Sequence, residues 1–351
     1  MSLRVLHSGN LASVGRNLCL GLRRKGIEAD LVYSAYSDRS GLLERGDKEW
    51  TSLVDARRGR AMGYVDRLEL VYGWRLTKDI DVTEYDMLHF HSVLNPINMG
   101  LAVRNILREF SPVILHYHGS VSSRVRGLRH TLRSYFLRRN CPTVLCSTPN
   151  ILDNIRNLPQ RKRYLPNPVD TSVFKPGICP EENSNTVLCW VKLERVKGID
   201  VFFETARLLP QFEFHIPNVS LTGEQRHYID RKVPNVSLIP AVPHTEVAEL
   251  IRGYPIVLGQ LGLGVLGVSE LEAMSCGKPL IGFWNREYDV HYDDPCPIPS
   301  SIDPREISLM IQDHIGDSSL GMRCRKWVEK YHSIDVVAKQ LADVYREVTE
   351  N

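Results

Sequence analysis

Two doubly wound α/β domains are the fold class this chain predicts, on three observations. Short apolar runs alternate with helix-patterned segments from the start, the pattern of a parallel sheet with crossover helices. The alternation stops in a polar stretch at 177–185 and then restarts. A length of 351 residues leaves room for two separate cores.

In chain order, residues 3–7 are an apolar run ending at Ser8-Gly9-Asn10, a strand and its turn. Residues 14–25 carry Leu18, Leu20 and Leu22 in a helix that Gly26 closes, and 29–33 form the second strand. The first loop holds Gly9 and Gly15 without a complete dinucleotide fingerprint. Residues 34–78 are polar and basic, with Arg57, Arg58, Arg60 and Arg67 in a loop-plus-helix insertion. A solvated surface and an acceptor-facing patch both fit that insertion.

Residues 86–92 and 112–120 read as strands with polar C-terminal ends, bearing His89 and His91, then His116 and His118. Open parallel sheets bind ligands at those ends. Alternation puts His116 and His118 on one face and Tyr117 on the other. Packing and ligand-contacting roles both stand for these histidines.

Between 124 and 139 lie Arg124, Arg126, Arg129, Arg133, Arg138 and Arg139, with Leu128, Leu132 and Phe136 making one apolar stripe. Such a helix can bury its stripe in the core, or make peripheral contact with an anionic membrane or a phosphorylated lipid acceptor. Aromatic interleaving and nucleic-acid motifs are missing, so no nucleic acid is expected as partner. Residues 143–147 form a strand, a helix runs to about 158, and a Pro-rich stretch follows at 164–176.

The second domain restarts with a strand at 185–191, a loop from Lys192 to Gly198 and a helix at 199–209. Strands at 212–216 and 236–239 and a helix at 245–252 follow. Ile256–Leu258 is then a buried strand, followed by Gly262, Gly264 and Gly267, about ten helix-forming residues, the stop Gly277-Lys278-Pro279 and a strand at 280–283. This is a βαβ unit with a glycine-rich turn at a helix N-terminus, where backbone N–H groups and the helix dipole favour phosphate. Glu270 and Glu272 are expected within the helix, leaving its first turn unencumbered. Gly262-x-Gly264-x-x-Gly267, with Glu287 about 20 residues on, also fits an NAD-dependent oxidoreductase. An amphipathic helix pair at 326–348 ends the chain.

Composition is that of an ordinary globular protein, 43% hydrophobic and 24% charged. No run approaches the ~20 apolar residues that span a bilayer, and the N-terminus enters a strand without a leader. Eight scattered cysteines without a Cys-x-x-Cys pair suggest reduced, buried thiols and a cytoplasmic setting, with the inner membrane face as a variant. Residues 1–170 hold 26 Lys and Arg against 16 Asp and Glu, while the rest holds 18 against 25. The first half is therefore the part suited to an anionic partner.

The run Gly267-Val268-Ser269-Glu270-Leu271-Glu272-Ala273-Met274-Ser275-Cys276-Gly277-Lys278-Pro279 closely resembles the donor-site helix of the retaining glycosyltransferases with the GT-B fold, the family of sucrose synthases and many bacterial mannosyltransferases. Lys192-Leu193-Glu194-Arg195-Val196-Lys197-Gly198 resembles that family's diphosphate-clamping loop, with Lys192 in place of an arginine. Pro166-Asn167-Pro168-Val169-Asp170 resembles its interdomain segment, with Pro168 in place of a glycine.

The resemblance implies two Rossmann-like domains facing across a cleft. Residues 1–168 with 337–351 would form the acceptor side, and 169–336 the donor domain. It implies a nucleoside-diphosphate sugar as donor substrate, no cofactor, no metal, and retention by front-face attack. Asp79-Ile80-Asp81 resembles the metal-binding pair of a different transferase fold and is read as chance. His118 would sit beside the donor sugar. Lys192, Lys197 and the turn of Gly267, Val268 and Ser269 would hold the diphosphate, and Glu272 the ribose. Gly9 would line the loop on the other domain. His118, Lys197 and Glu272 are the expected catalytic residues, and a sugar, lipid-phosphate or glycan the expected acceptor. One departure stands out: the family's glutamate eight positions before Glu272 is Gly264 here, with Gln260 and Glu270 as possible substitutes. A non-catalytic nucleotide-sugar-binding protein is the alternative that this gap suggests.

Overall fold

The computed structural model describes residues 2–33, 51–52, 77, 79–91, 96–108, 111–118, 141–155, 160–181, 184–218 and 233–350. Arg57, Arg58, Arg60 and Arg67, the arginine-rich segment 124–139 and Gly119 lie outside them. The chain divides into two compact units, Met1–Pro168 with Ile334–Asn351, and Val169–Ser333.

The first unit is a seven-stranded sheet of β1 (Arg4–Ser8), β2 (Glu28–Tyr33), β3 (Thr51–Ser52), β4 (Met87–His91), β5 (Val113–Tyr117), β6 (Thr143–Cys146) and β7 (Arg161–Tyr164). The order is β3-β2-β1-β4-β5-β6-β7, every pairing parallel. Chain direction across the sheet reverses between β1 and β4, and in doubly wound folds that switch point is where a ligand crevice opens. Along β4 and β5, Leu88, Phe90, Leu115 and Tyr117 point to one face and pack with Ile97 and Leu101 of α2 (Pro96–Arg108). The histidines point to the other. That face meets α9 (Ile334–Thr349), which packs against α1 (Val14–Arg24). The two helices approach closely at Gly21, where a Cβ would lie 2.5 Å from that of Ala338.

Strand β7 is not predicted by the sequence pattern. Arg161-Lys162-Arg163-Tyr164 has no apolar alternation because it is an edge strand, and charge there blunts edge-to-edge pairing. Arg161 and Arg163, two apart on one face, both pair with Glu347 of α9. Asp81 of the Asp79-Ile80-Asp81 run caps a short turn, accepting from Thr83 N at 3.0 Å and Thr83 Oγ1 at 2.6 Å.

The second unit holds β8 (Thr186–Cys189), β9 (Glu213–Asn218), β10 (Val236–Pro240), β11 (Ile256–Leu258) and β12 (Leu280–Ile281) in the order β10-β9-β8-β11-β12, again all parallel. Its switch point lies between β8 and β11. Phe202 and Phe203 of α4 (Ile199–Leu208) and Ile307 and Ile311 of α7 (Pro304–His314) build one core cluster. Leu271 and Met274 of α6 (Val268–Ser275) build another, with α5 (Val247–Arg252) and with Leu320, Trp327 and Val328 of α8 (Ser318–His332). Helix α6 has eight residues rather than the expected ten, and β12 ends at Ile281 rather than residue 283. All eight cysteines are free thiols, and all except Cys179 are buried. Among the described residues, no helix is long and apolar enough to cross a membrane.

Candidate functional site

At the β8/β11 switch point, two loops lie against each other. The loop after β8 ends in a short turn at Arg195–Lys197 and in Gly198, whose φ of 78° is left-handed. The loop after β11 runs from Gly259 to Gly267. They are joined by a bond from Leu261 N to Lys197 O at 2.9 Å. Gly262 also packs on the first loop, since a Cβ there would lie 2.3 Å from Val196 O.

This contact directs the Lys197 side chain. Its Nζ donates to Gln260 Oε1 at 3.1 Å, and Gln260 is 1% exposed. Gln260 is fixed in turn through its amide, which donates to Glu270 Oε1 at 3.1 Å, and through its Nε2, which donates to Val265 O. Glu270 Oε2 accepts from Gly267 N at 3.0 Å. Lys197, Gln260, Glu270 and the start of α6 are therefore one connected unit. Burial raises the Glu270 carboxyl above its ordinary value, while the Lys197 charge and the backbone donors pull it back.

This corrects one expectation. The first turn of α6 is not unencumbered, because Glu270 at its third position reaches back to the Gly267 N–H. The amides of Val268 and Ser269, both partly exposed, remain as first-turn donors. Glu270 is thereby a loop brace with both oxygens engaged. Gly264 itself has φ 66°, and a Cβ there would sit 3.1 Å from Asn285 Cβ and Phe283 Cε1. A side chain at 264 incurs both left-handed strain and crowding. Gly264→Glu is therefore expected to lower stability by about 2–3 kcal/mol without improving donor binding, as read by denaturant melts and ligand titration. A variant as stable as the parent would contradict this.

Glu272 is 5% exposed and its Oε1 lies 2.8 Å from His244 Nε2. His244 precedes α5, in a short turn that carries no recognisable motif, and only the structure reveals it as the partner of Glu272. Lys192 is exposed in the loop after β8. Lys278 is buried and supports the fold, its Nζ donating at 2.7 Å to the carbonyl of Arg252, the last residue of α5.

The glycines do not act as in a dinucleotide fingerprint. Gly262 packs loop on loop, Gly264 makes a left-handed turn, and α6 starts only after Gly267. Glu287 is exposed in a short turn and bonds Asn285.

On the first unit, the β1/β4 switch point carries a second constellation. Gly9 has φ 102°, and a Cβ there would lie 2.7 Å from His91 O. Just beyond it, Ala12 and Ser13 also have left-handed backbone, at φ 50° and 61°, strain of the kind that gathers at functional sites. His7 and His89 are partners in register, as are His91 and His116. His118, two residues on from His116, shares their face. His7 Nδ1 lies 2.9 Å from His91 Nε2, and His91 Nδ1 lies 3.0 Å from His118 Nε2. His89 Nε2 lies 3.2 Å from His116 Nδ1. The Tyr345 hydroxyl lies 2.6 Å from His89 Nδ1 and 3.0 Å from His7 Nε2.

Burial pushes His7 and His118 down to about 3, and His89, His91 and His116 also fall well below the ordinary imidazole value. The rings are therefore neutral at physiological pH. Alternation in the sequence finds the pair on β5. It misses His7, because that neighbour depends on strand order.

Residues 11–173 match the profile described as Glycosyltransferase Family 4. No curated protein sequence matches the chain. Sucrose-phosphate synthase from Thermosynechococcus elongatus is similar in structure, with a TM-score of 0.71, 13% identity, and 98% of this chain and 99% of that chain covered. Anabaena HepE in complex with UDP and glucose gives 0.71, 14%, 98% and 99%. A UDP-GlcNAc 2-epimerase from Neisseria meningitidis bound to UDP-GlcNAc gives 0.60, 14%, 98% and 100%. The likeness identifies the fold as GT-B, with two Rossmann-like α/β domains.

Proposed function

We propose that the chain is a glycosyltransferase that moves a sugar from a nucleoside-diphosphate donor to an acceptor, with retention and without a metal in the chemical step. One observation carries the donor site. The Lys197 ammonium is held by Gln260 at the β8/β11 switch point, and the Glu270 brace ties that pair to the start of α6. The match of residues 11–173 and the fold shared with proteins bound to UDP or UDP-GlcNAc support the same donor class.

In this reading the diphosphate lies on Lys197 and the Val268 and Ser269 amides, with exposed Lys192 adding long-range attraction. Negative charge grows on the diphosphate as it leaves. Fixed donors then bind it more tightly than the ground state, which lowers the barrier. Glu272, oriented through Oε1 by His244, offers its other oxygen to the ribose hydroxyls. We assign His118 of the first unit to the donor sugar and Gly9 to the loop beside it. The acceptor is a sugar, a lipid phosphate or a glycan, and the basic segment 124–139 is the candidate for peripheral membrane contact.

Thermal melts with UDP, GDP, ADP and NAD test the donor class. A nucleoside diphosphate at a hundred times its Kd is expected to add about 2.7 kcal/mol, and NAD nothing. A melt that moves with NAD alone would end the transferase reading. Gly264 favours a second reading, a non-catalytic nucleotide-sugar binder. A shifted melt without consumption of any donor sugar would select it.

A further inference from the structure

We propose that His91, His116 and His118 bind one divalent transition-metal ion of the zinc type. This site goes beyond the transferase reading and does not depend on it. One ring nitrogen from each of the three lies within 4.8 Å of the others. Tetrahedral zinc with bonds of about 2.0–2.1 Å places its nitrogen ligands about 3.3 Å apart. His91 Nδ1 and His118 Nε2 already stand 3.0 Å apart, so they need to open by only a few tenths of an ångström.

The third ligand is the independent observation. His116 is 0% exposed, and its Nε2 has no hydrogen-bond partner among the described residues, whereas its Nδ1 is held by His89. A buried ring nitrogen is ordinarily satisfied. An ion at this place would use it. His118 is partly exposed at the end of β5, which gives a way in and a direction for a fourth ligand such as water.

The surrounding hydrogen bonds suit this arrangement. With metal on His91 Nδ1, the ring keeps its proton on Nε2 and donates it to His7 Nδ1. With metal on His116 Nε2, Nδ1–H donates to His89 Nε2. His7 and His89 then donate their remaining N–H groups to the two lone pairs of the Tyr345 hydroxyl, whose own O–H has no acceptor among the described residues. Every imidazole stays neutral and no proton has to leave. Each ligand whose second nitrogen is buried has it oriented by a partner, as metal-bound histidines require.

The other convergent triad, His7, His89 and His91, is the outer shell of this site, since both nitrogens of His7 and of His89 are taken by hydrogen bonds. All-imidazole donors select zinc, copper or nickel over magnesium or calcium. With Nε2 on the metal, His118 keeps its Nδ1–H as a donor, so the two roles use different atoms of the ring.

The test uses the full chain, stripped with a chelator and free of nucleotide. Calorimetric titration with Zn2+ is expected to give one equivalent, and Co2+ the intense visible bands of a tetrahedral centre. His118→Ala and His116→Gln, each measured on protein that still melts cooperatively, are expected to weaken Zn2+ binding by about 100-fold or more. The remote His314→Gln should leave it unchanged. Absence of a stoichiometric Zn2+ heat, or unchanged affinity in His118→Ala, would overturn the proposal. Neither readout involves nucleotide or turnover, so the metal site and the donor site fail separately.

Discussion

Lys197→Ala is expected to weaken nucleoside-diphosphate binding by about 100-fold, whereas Lys192→Ala should cost only a few-fold. Both residues are cations in one short loop, and composition alone would rank them equally. The structure separates them. Lys192 is exposed, so its attraction to a phosphate is screened and its side chain must be ordered on binding. Lys197 is partly buried, and its ammonium is already positioned 3.1 Å from Gln260 Oε1. A charged hydrogen bond of that kind is worth about 1.5–3 kcal/mol, and 2.7 kcal/mol corresponds to 100-fold.

Removing Lys197 also strips the buried Glu270 carboxylate of its nearby positive charge. The buried Gln260 Oε1 loses its donor too, so the melt of the variant without ligand is the necessary control, with a loss of about 1–3 kcal/mol expected. Isothermal titration with UDP or GDP on a variant that still melts cooperatively reads the effect. A full-strength ligand response in Lys197→Ala would remove the centre of the proposed donor site.

How much of this is visible in the sequence depends on whether the information is local. Ile256–Leu258 stands between Pro255 and Gly259 and is legible to the residue, because three apolar residues between two breakers admit little else. The helix α7 carries a readable start, Asp303 capping Arg305 N at 2.7 Å with Pro304 at the first position, although the apolar pattern alone does not bring it out. Strand β7 cannot be read, since its charge pattern comes from its edge position and its partner Glu347 lies 184 residues away from Arg163. The role of Glu270 escapes for a different reason. Helical spacing places a residue on a face, whereas the reach of a glutamate back to its own N-cap is a matter of rotamer. Alternation within β5 puts His116 and His118 together, but the five-histidine face exists only because β1, β4 and β5 are neighbours, and sheet order is not a local property.

Gly198→Ala is expected to combine backbone strain with a backbone clash and so to be strongly destabilising. Its φ of 78° costs a non-glycine residue about 1–2 kcal/mol. Lack of space costs more. A Cβ at 198 would lie 2.6 Å from the Leu261 carbonyl carbon and 2.8 Å from its oxygen, so backbone rather than a flexible side chain has to move. Relief requires the loops after β8 and β11 to part, which breaks the bond from Leu261 N to Lys197 O and draws Lys197 away from Gln260. With about 1 kcal/mol for that bond, the expected total is about 3–4 kcal/mol, or a fall of roughly 6–16 °C in the melting midpoint. Gly316→Ala tells backbone strain from crowding. Gly316 lies in the same unit at φ 72° with nothing within 4 Å of its Cβ position, so it should show the backbone cost alone and leave nucleotide binding intact. Equal losses in the two variants would mean that the loops are not in contact at Gly198, and the link from the β8 loop to the donor turn would have to be abandoned.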